Sequence, residues 1–221
     1  MRLFDEFERI LVVDTETTGL DSAKNDIIEL AFLEMDSEGQ VLREYDRFLK
    51  LPEGAVLPEK ITELTGITSE MLLGEGIAQE TAAGDFGEVL RPGTLLAAYN
   101  AQFDLCFLYY FLKRFGDPAG LKNLKFLDLL TVYRDRQPYP HKLCNAIETY
   151  HLDSRNTHRA IDDTAAAAEL MMAMAAEKDD LVRYVNLFGY LPKYGVSGPK
   201  IRSVTYLPQK RQGKLLYELK A

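Results

Sequence analysis

Apolar positions in the N-terminal part of the chain follow a pattern that is typical of strands. Apolar runs over residues 10–13, 27–35 and 41–51 predict three strands, the first of them buried. The segment Asp36-Ser37-Glu38-Gly39 between the last two is rich in turn formers. Because so short a connection joins neighbouring strands, the pattern predicts an antiparallel meander.

Helix-like and strand-like segments alternate along the rest of the chain. Pro58 begins one short predicted helix, Thr68 begins another, and a helix over residues 81–90 ends before a Pro-Gly pair. Longer helices are predicted over residues 100–115 (capped by Asn100), 142–150 and 160–176, and short strands over 94–99 and 126–130. This order predicts an α/β fold with a mixed sheet, and the alanine run at 165–168 predicts close packing of its helix against that sheet.

Composition and cysteine usage indicate the cellular compartment that we expect for the protein. Hydrophobic residues make up 47% of the chain and charged residues 27%, so one ordinary core needs no disulfide. Cys106 and Cys144 lack CxxC spacing, which favours two reduced thiols. The N-terminal segment carries acids before its only short apolar run, so neither a signal peptide nor a membrane span is predicted. We therefore expect a cytoplasmic protein.

The charge is distributed unevenly. The chain carries a net charge of −8, but seven basic residues against Glu218 alone give residues 191–221 a net charge of +6 and leave −14 for residues 1–190. We expect one main domain over residues 1–178 and a basic extension over 179–221, with a helix at 179–187 and a strand at 204–207. The extension either contacts a nucleic-acid backbone or a partner, or packs along the domain edge with its charges in water.

Two acids follow the first apolar run, in Asp14-Thr15-Glu16-Thr17-Thr18-Gly19. Residues two apart on a strand point to the same face, so the two carboxylates converge. An isolated pair of this kind is usually a solvated strand end. Here the buried run before Asp14 and the Gly19 turn after it favour a cation site, because close carboxylates repel one another without a cation between them.

A third acid, Asp104, lies just after the predicted strand at 94–99, in the first turn of the next helix. An acid in this position is often only a favourable helix N-terminal charge. Strand ends of an α/β sheet meet at one ligand-binding edge, however, so Asp104 is a candidate to join the first two acids. Phe103 beside it is either a core residue or a platform on which a base stacks.

His158 and Asp163 mark the start of the alanine-rich helix, which we expect to begin near Thr157. An aspartate in such a helix needs a partner if it is buried, whereas Asp162 is interpreted as its solvent-facing neighbour. Five residues apart, His158 and Asp163 need not share a helix face, so His158 is expected to project from the helix start.

Taken in order, Asp14-x-Glu16, Asn100-x-x-Phe103-Asp104 and His158-x-Ala160-x-x-Asp163 resemble the three motifs of the DEDDh exonucleases. Residues 61–68 also resemble a stretch common in the branch that contains the proofreading subunit of bacterial DNA polymerase III. The resemblance covers about residues 10 to 176 and implies a ribonuclease-H-like fold, with a mixed five-stranded sheet and helices on both faces. It departs at Tyr99, where many relatives carry histidine, and this change would alter how the strand end contacts substrate.

The resemblance also implies a role for each motif residue. Asp14, Glu16, Asp104 and Asp163 would hold two divalent cations, Mg²⁺ or Mn²⁺, and His158 would act as the general base. The implied substrate-binding residues are Thr15, Thr17, Leu20, Thr65, Asn100 and Phe103. Leu20 would wedge against the terminal base, or else pack under the turn that precedes it.

The implied activity is metal-dependent 3′→5′ hydrolysis of phosphodiester bonds at the 3′ end of DNA, with release of nucleoside 5′-monophosphates. The same chemistry on RNA or short oligoribonucleotides stays open, since nothing in the sequence identifies a 2′-hydroxyl contact. A catalytically silent, polymerase-associated nucleic-acid-binding module is an alternative from another class, and the complete set of four acids and a histidine argues against it. The expected partners are nucleic acid with a free 3′ end, above all single-stranded DNA, and a DNA polymerase. No membrane contact is expected.

Overall fold

A mixed five-stranded sheet forms the centre of the computed structural model, which describes residues 2–210 and 214–219. Its strands are β1 (Arg9–Thr17), β2 (Ile27–Asp36), β3 (Val41–Phe48), β4 (Thr94–Ala98) and β5 (Lys125–Asp128). They lie in the order β3-β2-β1-β4-β5. The first three strands pair antiparallel and β4 and β5 run parallel to β1, which confirms the predicted meander and the predicted mixed sheet.

Both faces of this sheet are covered. In β1, Ile10 and Val12 enter one hydrophobic core, while Leu11 and Val13 enter the other. All four side chains are fully buried. A strand buried on both faces has no polar positions to alternate with, which explains its continuous apolar run.

Eight α-helices occur in the described part of the chain. They are α1 (Leu3–Glu6), α2 (Glu59–Thr65), α3 (Ser69–Gly74), α4 (Gln79–Val89), α5 (Ala101–Phe115), α6 (Leu129–Arg136), α7 (Leu143–Tyr150) and α8 (Ala160–Glu177). Side chains of α6, α7 and α8 fill the core on one face, and side chains of α4 and α5 fill the core on the other. Helices therefore lie on both faces, as expected, and the buried Ala166 and Ala167 confirm that the alanine run packs against the sheet.

Helices α1 and α6 were not predicted. The strand predicted over residues 126–130 ends at Asp128, because Leu129 already begins α6. Leu127, Leu129 and Leu130 are all buried, and a short apolar run does not distinguish a buried strand from a buried helix.

The helix predicted over residues 179–187 is wrong. A single 3₁₀ turn (Leu181–Tyr184) occupies its centre and is followed by β6 (Leu187–Tyr190), which pairs parallel with β7 (Thr205–Pro208). Asn186 adopts a left-handed conformation (φ 55°), and its backbone N–H donates to the Phe126 carbonyl of β5 at 2.8 Å. These backbone bonds replace the helical ones, while the predicted C-terminal strand is confirmed by β7.

The C-terminal segment packs on the rest of the protein. Leu216 and Tyr217 are buried in the same core as the sheet residues Ile10 and Leu95. The division into a domain over residues 1–178 and an extension over 179–221 stays a prediction, and Arg211 and Lys220 of the extension lie outside the described residues. Cys106 and Cys144 are free thiols, as predicted. Within residues 2–210 and 214–219, none of the helices combines the length and apolar character that a membrane span requires.

Candidate active site

The candidate site lies where the C-terminal part of β1 meets the starts of α5 and α8. Asp14 and Glu16 are partly exposed on β1, and their spacing places both side chains on one face of the strand. The Thr15 backbone N–H and hydroxyl donate to Asp104 Oδ1 at 3.1 and 2.9 Å. These two bonds fix the buried Asp104, in the first turn of α5, directly against β1.

The start of α8 brings the remaining two motif residues to β1. Glu16, His158 and Asp163 each offer a ligand atom within 4.8 Å of the other two. Asp163 is buried and accepts hydrogen bonds from Asn156 Nδ2 at 2.6 Å and from the Thr157 backbone N–H at 3.3 Å. The structure therefore gathers all five motif residues at one edge of the sheet.

The segment before α8 differs in detail from the expectation. Helix α8 begins at Ala160, not near Thr157, and His158 precedes it in a left-handed conformation (φ 59°) with an exposed side chain. The Thr157 hydroxyl donates to Asp162, which is partly exposed. Both aspartates therefore accept hydrogen bonds from Thr157, and Asp163 also lies close to Glu16 of β1.

Burial raises the pKa of all four carboxyl groups, and repulsion from the other acids adds to it for Asp14 and Glu16. Burial raises the pKa of Asp14 well above its usual range, and the charges of Asp104, Glu16 and Asp163 raise it further. Burial and then the charge of Asp163 raise the pKa of Glu16 to about 8, and burial raises the pKa of Asp104 to about 7. Burial also raises the pKa of Asp163. These four groups do not ionise together readily without a positive charge between them.

The donor set suits hard divalent cations. Carboxylate oxygens are the ligands that Mg²⁺ and Mn²⁺ prefer in proteins, and four carboxyl groups converge here. Three of the possible ligand side chains already lie within 4.8 Å of one another. The residues present therefore fit a divalent-metal site.

Two residues of the site's surroundings were missed from the sequence. Glu29, on β2, is fully buried and accepts hydrogen bonds from Arg159 and from the Ala160 backbone N–H. The only signal in the sequence was a charged residue inside the apolar run at 27–35, which requires a partner that the sequence does not identify.

The predicted cap of α5 is also corrected. Asn100 adopts a left-handed conformation (φ 68°) and its side chain makes no capping hydrogen bond. The Ala101 backbone N–H donates instead to Asp128 Oδ1, at 3.1 Å, from the end of β5. Because an orphan N–H at a helix start can donate to any well-placed oxygen, a side chain distant in sequence can replace the local cap.

The predicted substrate-binding residues differ in how far they are exposed to solvent, and three of them are at least partly exposed. Leu20 is 89% exposed beside the site, Asn100 is exposed, and Phe103 is partly exposed with its ring 4.8 Å from that of Phe107.

The three threonines of this group are buried and use their hydroxyls internally. Thr15 donates to Asp104, Thr17 donates to the Gly19 carbonyl at 2.7 Å, and Thr65 donates to the Ile61 carbonyl at 2.9 Å. A substrate contact from any residue of this group stays a prediction.

Tyr99 turns away from the acids. Its hydroxyl donates to the His141 carbonyl at 2.9 Å, and its ring lies 6.5 Å from that of Tyr133. Tyr99 therefore links the end of β4 to the segment between α6 and α7.

Known proteins resemble this chain over the part that holds the site. The family model described as an exonuclease, RNase_T, matches residues 11–171. The DNA polymerase III PolC-type protein of Bacillus subtilis is 34% identical over 188 residues, which are 80% of this chain and 12% of that protein. The DNA polymerase III subunit epsilon of Aquifex aeolicus is 28% identical over 171 residues, which are 76% of this chain and 80% of the subunit. This chain thus spans about an eighth of the PolC-type relative.

Solved structures resemble the fold. Escherichia coli exonuclease I, in a zinc-bound complex with single-stranded DNA, superposes with a TM-score of 0.73 at 21% identity, covering 80% of this chain and 42% of that one. Its complex with a dA16 oligonucleotide gives the same values. At this identity the likeness shows the fold alone, and it confirms the ribonuclease-H-like architecture expected from the motifs.

The order of the three motifs, their meeting at one sheet edge and the family match agree with one another. Exonucleases of this kind use divalent metals, and the cluster at the end of β1 supplies ligands for them. Since the matched segment contains all five motif residues and most of the chain, the protein belongs to the exonuclease family that includes the proofreading exonucleases of DNA polymerase III.

Proposed function

We propose that the protein is a 3′→5′ exonuclease that hydrolyses phosphodiester bonds at the 3′ end of DNA and releases nucleoside 5′-monophosphates. The observation that carries the proposal is the convergence of Asp14, Glu16, Asp104, Asp163 and His158 at one edge of the sheet. A chain without hydrolytic activity has no need for four clustered carboxyl groups whose burial raises their pKa values.

Each of the five residues has a role in this proposal. Asp14, Glu16, Asp104 and Asp163 hold two divalent cations, Mg²⁺ or Mn²⁺, through carboxylate oxygens. The cations, when bound, stabilise the negative charge on the attacking and leaving oxygens of an in-line displacement. His158 is exposed and free of the helix, so its imidazole is accessible to take the proton from the attacking water.

The substrate end is placed by residues around the acids. We propose that Leu20 wedges against the terminal base, since its side chain projects 89% exposed from the turn after β1. Phe103, partly exposed beside Asp104, supplies a ring for stacking, and Asn100 lies exposed at the end of β4. We also propose substrate contacts from Thr15, Thr17 and Thr65, whose hydroxyls make internal hydrogen bonds in the protein alone.

DNA is proposed as the substrate because the relatives above are named as parts of DNA polymerases. Exonuclease I in the similar structures is bound to single-stranded DNA, which favours a single strand with a free 3′ end. A DNA polymerase as partner and a place in the cytoplasm remain proposals of the same kind. The second candidate is the same reaction on RNA.

Labelled strands of matched sequence test the proposal. A DNA strand labelled at its 5′ end is incubated with Mg²⁺ or Mn²⁺ beside an RNA strand, and the released products are identified by chromatography. We expect a ladder of shortened labelled DNA and nucleoside 5′-monophosphates. Faster shortening of RNA replaces the DNA proposal by the second candidate, while binding without any shortening supports the catalytically silent module.

A further inference from the structure

A fully buried glutamate lies beside the candidate site without belonging to it. Glu29 is 0% exposed and stands directly opposite Glu16 in the β1–β2 ladder. Arg159 Nε and Nη2 donate to Glu29 Oε1 at 2.9 and 2.6 Å, and the Ala160 backbone N–H donates to Oε2 at 2.9 Å. One carboxylate thus binds both a guanidinium group and the first N–H of α8, which has no partner within the helix.

Arg159 is held from a second strand as well. Its guanidinium carbon lies 4.7 Å from the Phe48 ring centre, and Nη2 lies 3.9 Å from Asp46 Oδ2. Both of these partners are in β3. The arginine therefore connects β2 and β3 to the backbone just before α8.

Two residues of the candidate site, His158 and Asp163, lie on either side of Arg159 and Ala160. His158 precedes Arg159 directly, and Asp163 lies one helical turn after it. When the backbone is fixed at Arg159 and Ala160, the direction of the His158 side chain is fixed as well. The distance between Asp163 and Glu16 is then also set. Both carboxylate oxygens of Glu29 already accept hydrogen bonds, from Arg159 and from the Ala160 N–H, so this side chain supports the start of α8.

We propose that Glu29 and Arg159 form a positioning pair that sets the geometry of His158 and Asp163 relative to the acids of β1. The inference rests on the proposed function for the roles of His158 and Asp163. It goes beyond the motif residues, because it assigns a task to a glutamate 130 residues away from its partner.

A plain field effect is the alternative explanation. Glu29 adds a negative charge next to the cation site and Arg159 adds a positive one, so both alter cation binding without any positioning role. The two explanations differ at Arg159. If Arg159 acts only by its charge, its removal strengthens cation binding, because a positive charge near the cation is lost. If Arg159 holds the start of α8 in place, its removal weakens cation binding.

The experiment compares Glu29→Gln and Arg159→Gln with Glu34→Gln as the matched control. Glu34 is a second buried glutamate of β2 that pairs with an arginine, Arg9, about 16 Å further along the strand. Mn²⁺ affinity is measured by titration calorimetry, and kcat and KM are measured on a single DNA strand. Thermal unfolding verifies that each variant is folded.

Positioning predicts that Glu29→Gln and Arg159→Gln both weaken Mn²⁺ binding and both lower kcat, by about 10- to 100-fold, since outer partners of metal ligands typically have effects of that size. KM changes little and Glu34→Gln resembles the wild type. If Glu29→Gln does not fold, the substitution at the partly exposed Arg159 decides alone, because the two explanations predict opposite signs there.

Two results overturn the inference: Mn²⁺ binding that tightens in Arg159→Gln, or affinities and kcat that stay unchanged in both variants. A wild type that binds Mn²⁺ but shortens no strand refutes the proposed function instead, and the Mn²⁺ affinities still decide whether the pair positions the site.

Discussion

Burial, and for Glu16 also the charges of nearby carboxylates, disfavours the ionised acids of the site, and this has a cost in stability that depends on pH. The pKa of Glu16 is raised to about 8 and that of Asp104 to about 7. A carboxyl group whose pKa is raised by folding favours the folded state while it is protonated. The stability that it contributes is fully present below the ordinary carboxyl pKa of about 4 and is lost as the pH rises from there through about 7 for Asp104 and about 8 for Glu16.

Glu16→Gln removes one of these repelling charges and keeps the shape of the side chain. In a chelator, we expect the melting temperature of the wild type to fall below that of the variant as the pH rises from about 6 to about 9. Mn²⁺ should reverse the difference in melting temperature. It neutralises the four carboxylates of the wild type, whereas the variant lacks one of the ligands that bind it. Thermal unfolding across this pH range checks the expectation, and parallel curves for the two proteins would contradict it.

Leu20 is the residue whose proposed role is most separable from folding, since its side chain is 89% exposed. Leu20→Ala should therefore leave the melting temperature unchanged and lower kcat/KM on DNA by about 10-fold, the value of one buried leucine side chain. Leu73→Ala, at a leucine 72% exposed in α3, is the matched control. Equal activity of the two variants would contradict the wedge.

The five motif residues could be predicted because each motif has a recognisable spacing in the sequence. The residues that hold them in place could not be predicted. Glu29 meets Arg159 across 130 positions, and Asp128 meets Ala101 across 27, so no local pattern connects either pair. The left-handed backbone of Asn100 likewise depends on tertiary packing rather than on the residue's capping preference.

At the scale of elements, periodicity identified those with a strong local pattern. The meander and the long helices α5 and α8 follow from apolar runs and alanine content. Helix α6 was missed, and the helix predicted at 179–187 is a 3₁₀ turn followed by a strand, because backbone bonds from Asn186 to β5 override the local pattern.

The packing of α8 gives a prediction at this scale. Ala166 is fully buried in the core beside the sheet, whereas Ala165 is only partly buried. Ala166→Leu should lower the free energy of unfolding by about 1–3 kcal/mol, since added methylenes in a packed core force neighbours apart. Ala165→Leu should cost much less. Urea unfolding of both variants tests the difference, and equal decreases would contradict close packing by Ala166.

At the scale of the whole molecule, a basic groove contrasts with the net charge of −8. The groove has a volume of about 830 Å³ and lies between α5, the 3₁₀ helix Pro118–Asn123 and residues 199–203. Tyr109 and Tyr110 line it, and none of its described lining residues is acidic. Four basic side chains also line it: Lys113, Lys122, Lys200 and Arg202. Cations and exposed aromatic rings are the combination that single strands bind.

The salt dependence of DNA binding tests whether these cations bind the strand. Neutralising all four should reduce the slope of log affinity against log salt by about 0.7 for each phosphate that the variant no longer neutralises. Lys60→Gln, at an exposed lysine of α2, is the control. Substitution is a cleaner test than removal of residues after Leu191, because that truncation also removes the buried Leu216 and Tyr217. An unchanged slope would mean that the groove, including Lys200 and Arg202 of the extension, does not bind the strand.

The most direct test of the central claim follows a single DNA strand labelled at its 5′ end, with Mg²⁺ or Mn²⁺ present. The wild type is compared with Asp14→Ala and with Asp5→Ala, a control at an exposed aspartate of α1. We predict a ladder of shortened strands with the wild type and with Asp5→Ala, and no ladder with Asp14→Ala, because the cation site loses a central carboxylate. A folded wild type that shortens no strand, or an Asp14→Ala variant that shortens it at the wild-type rate, would contradict the account.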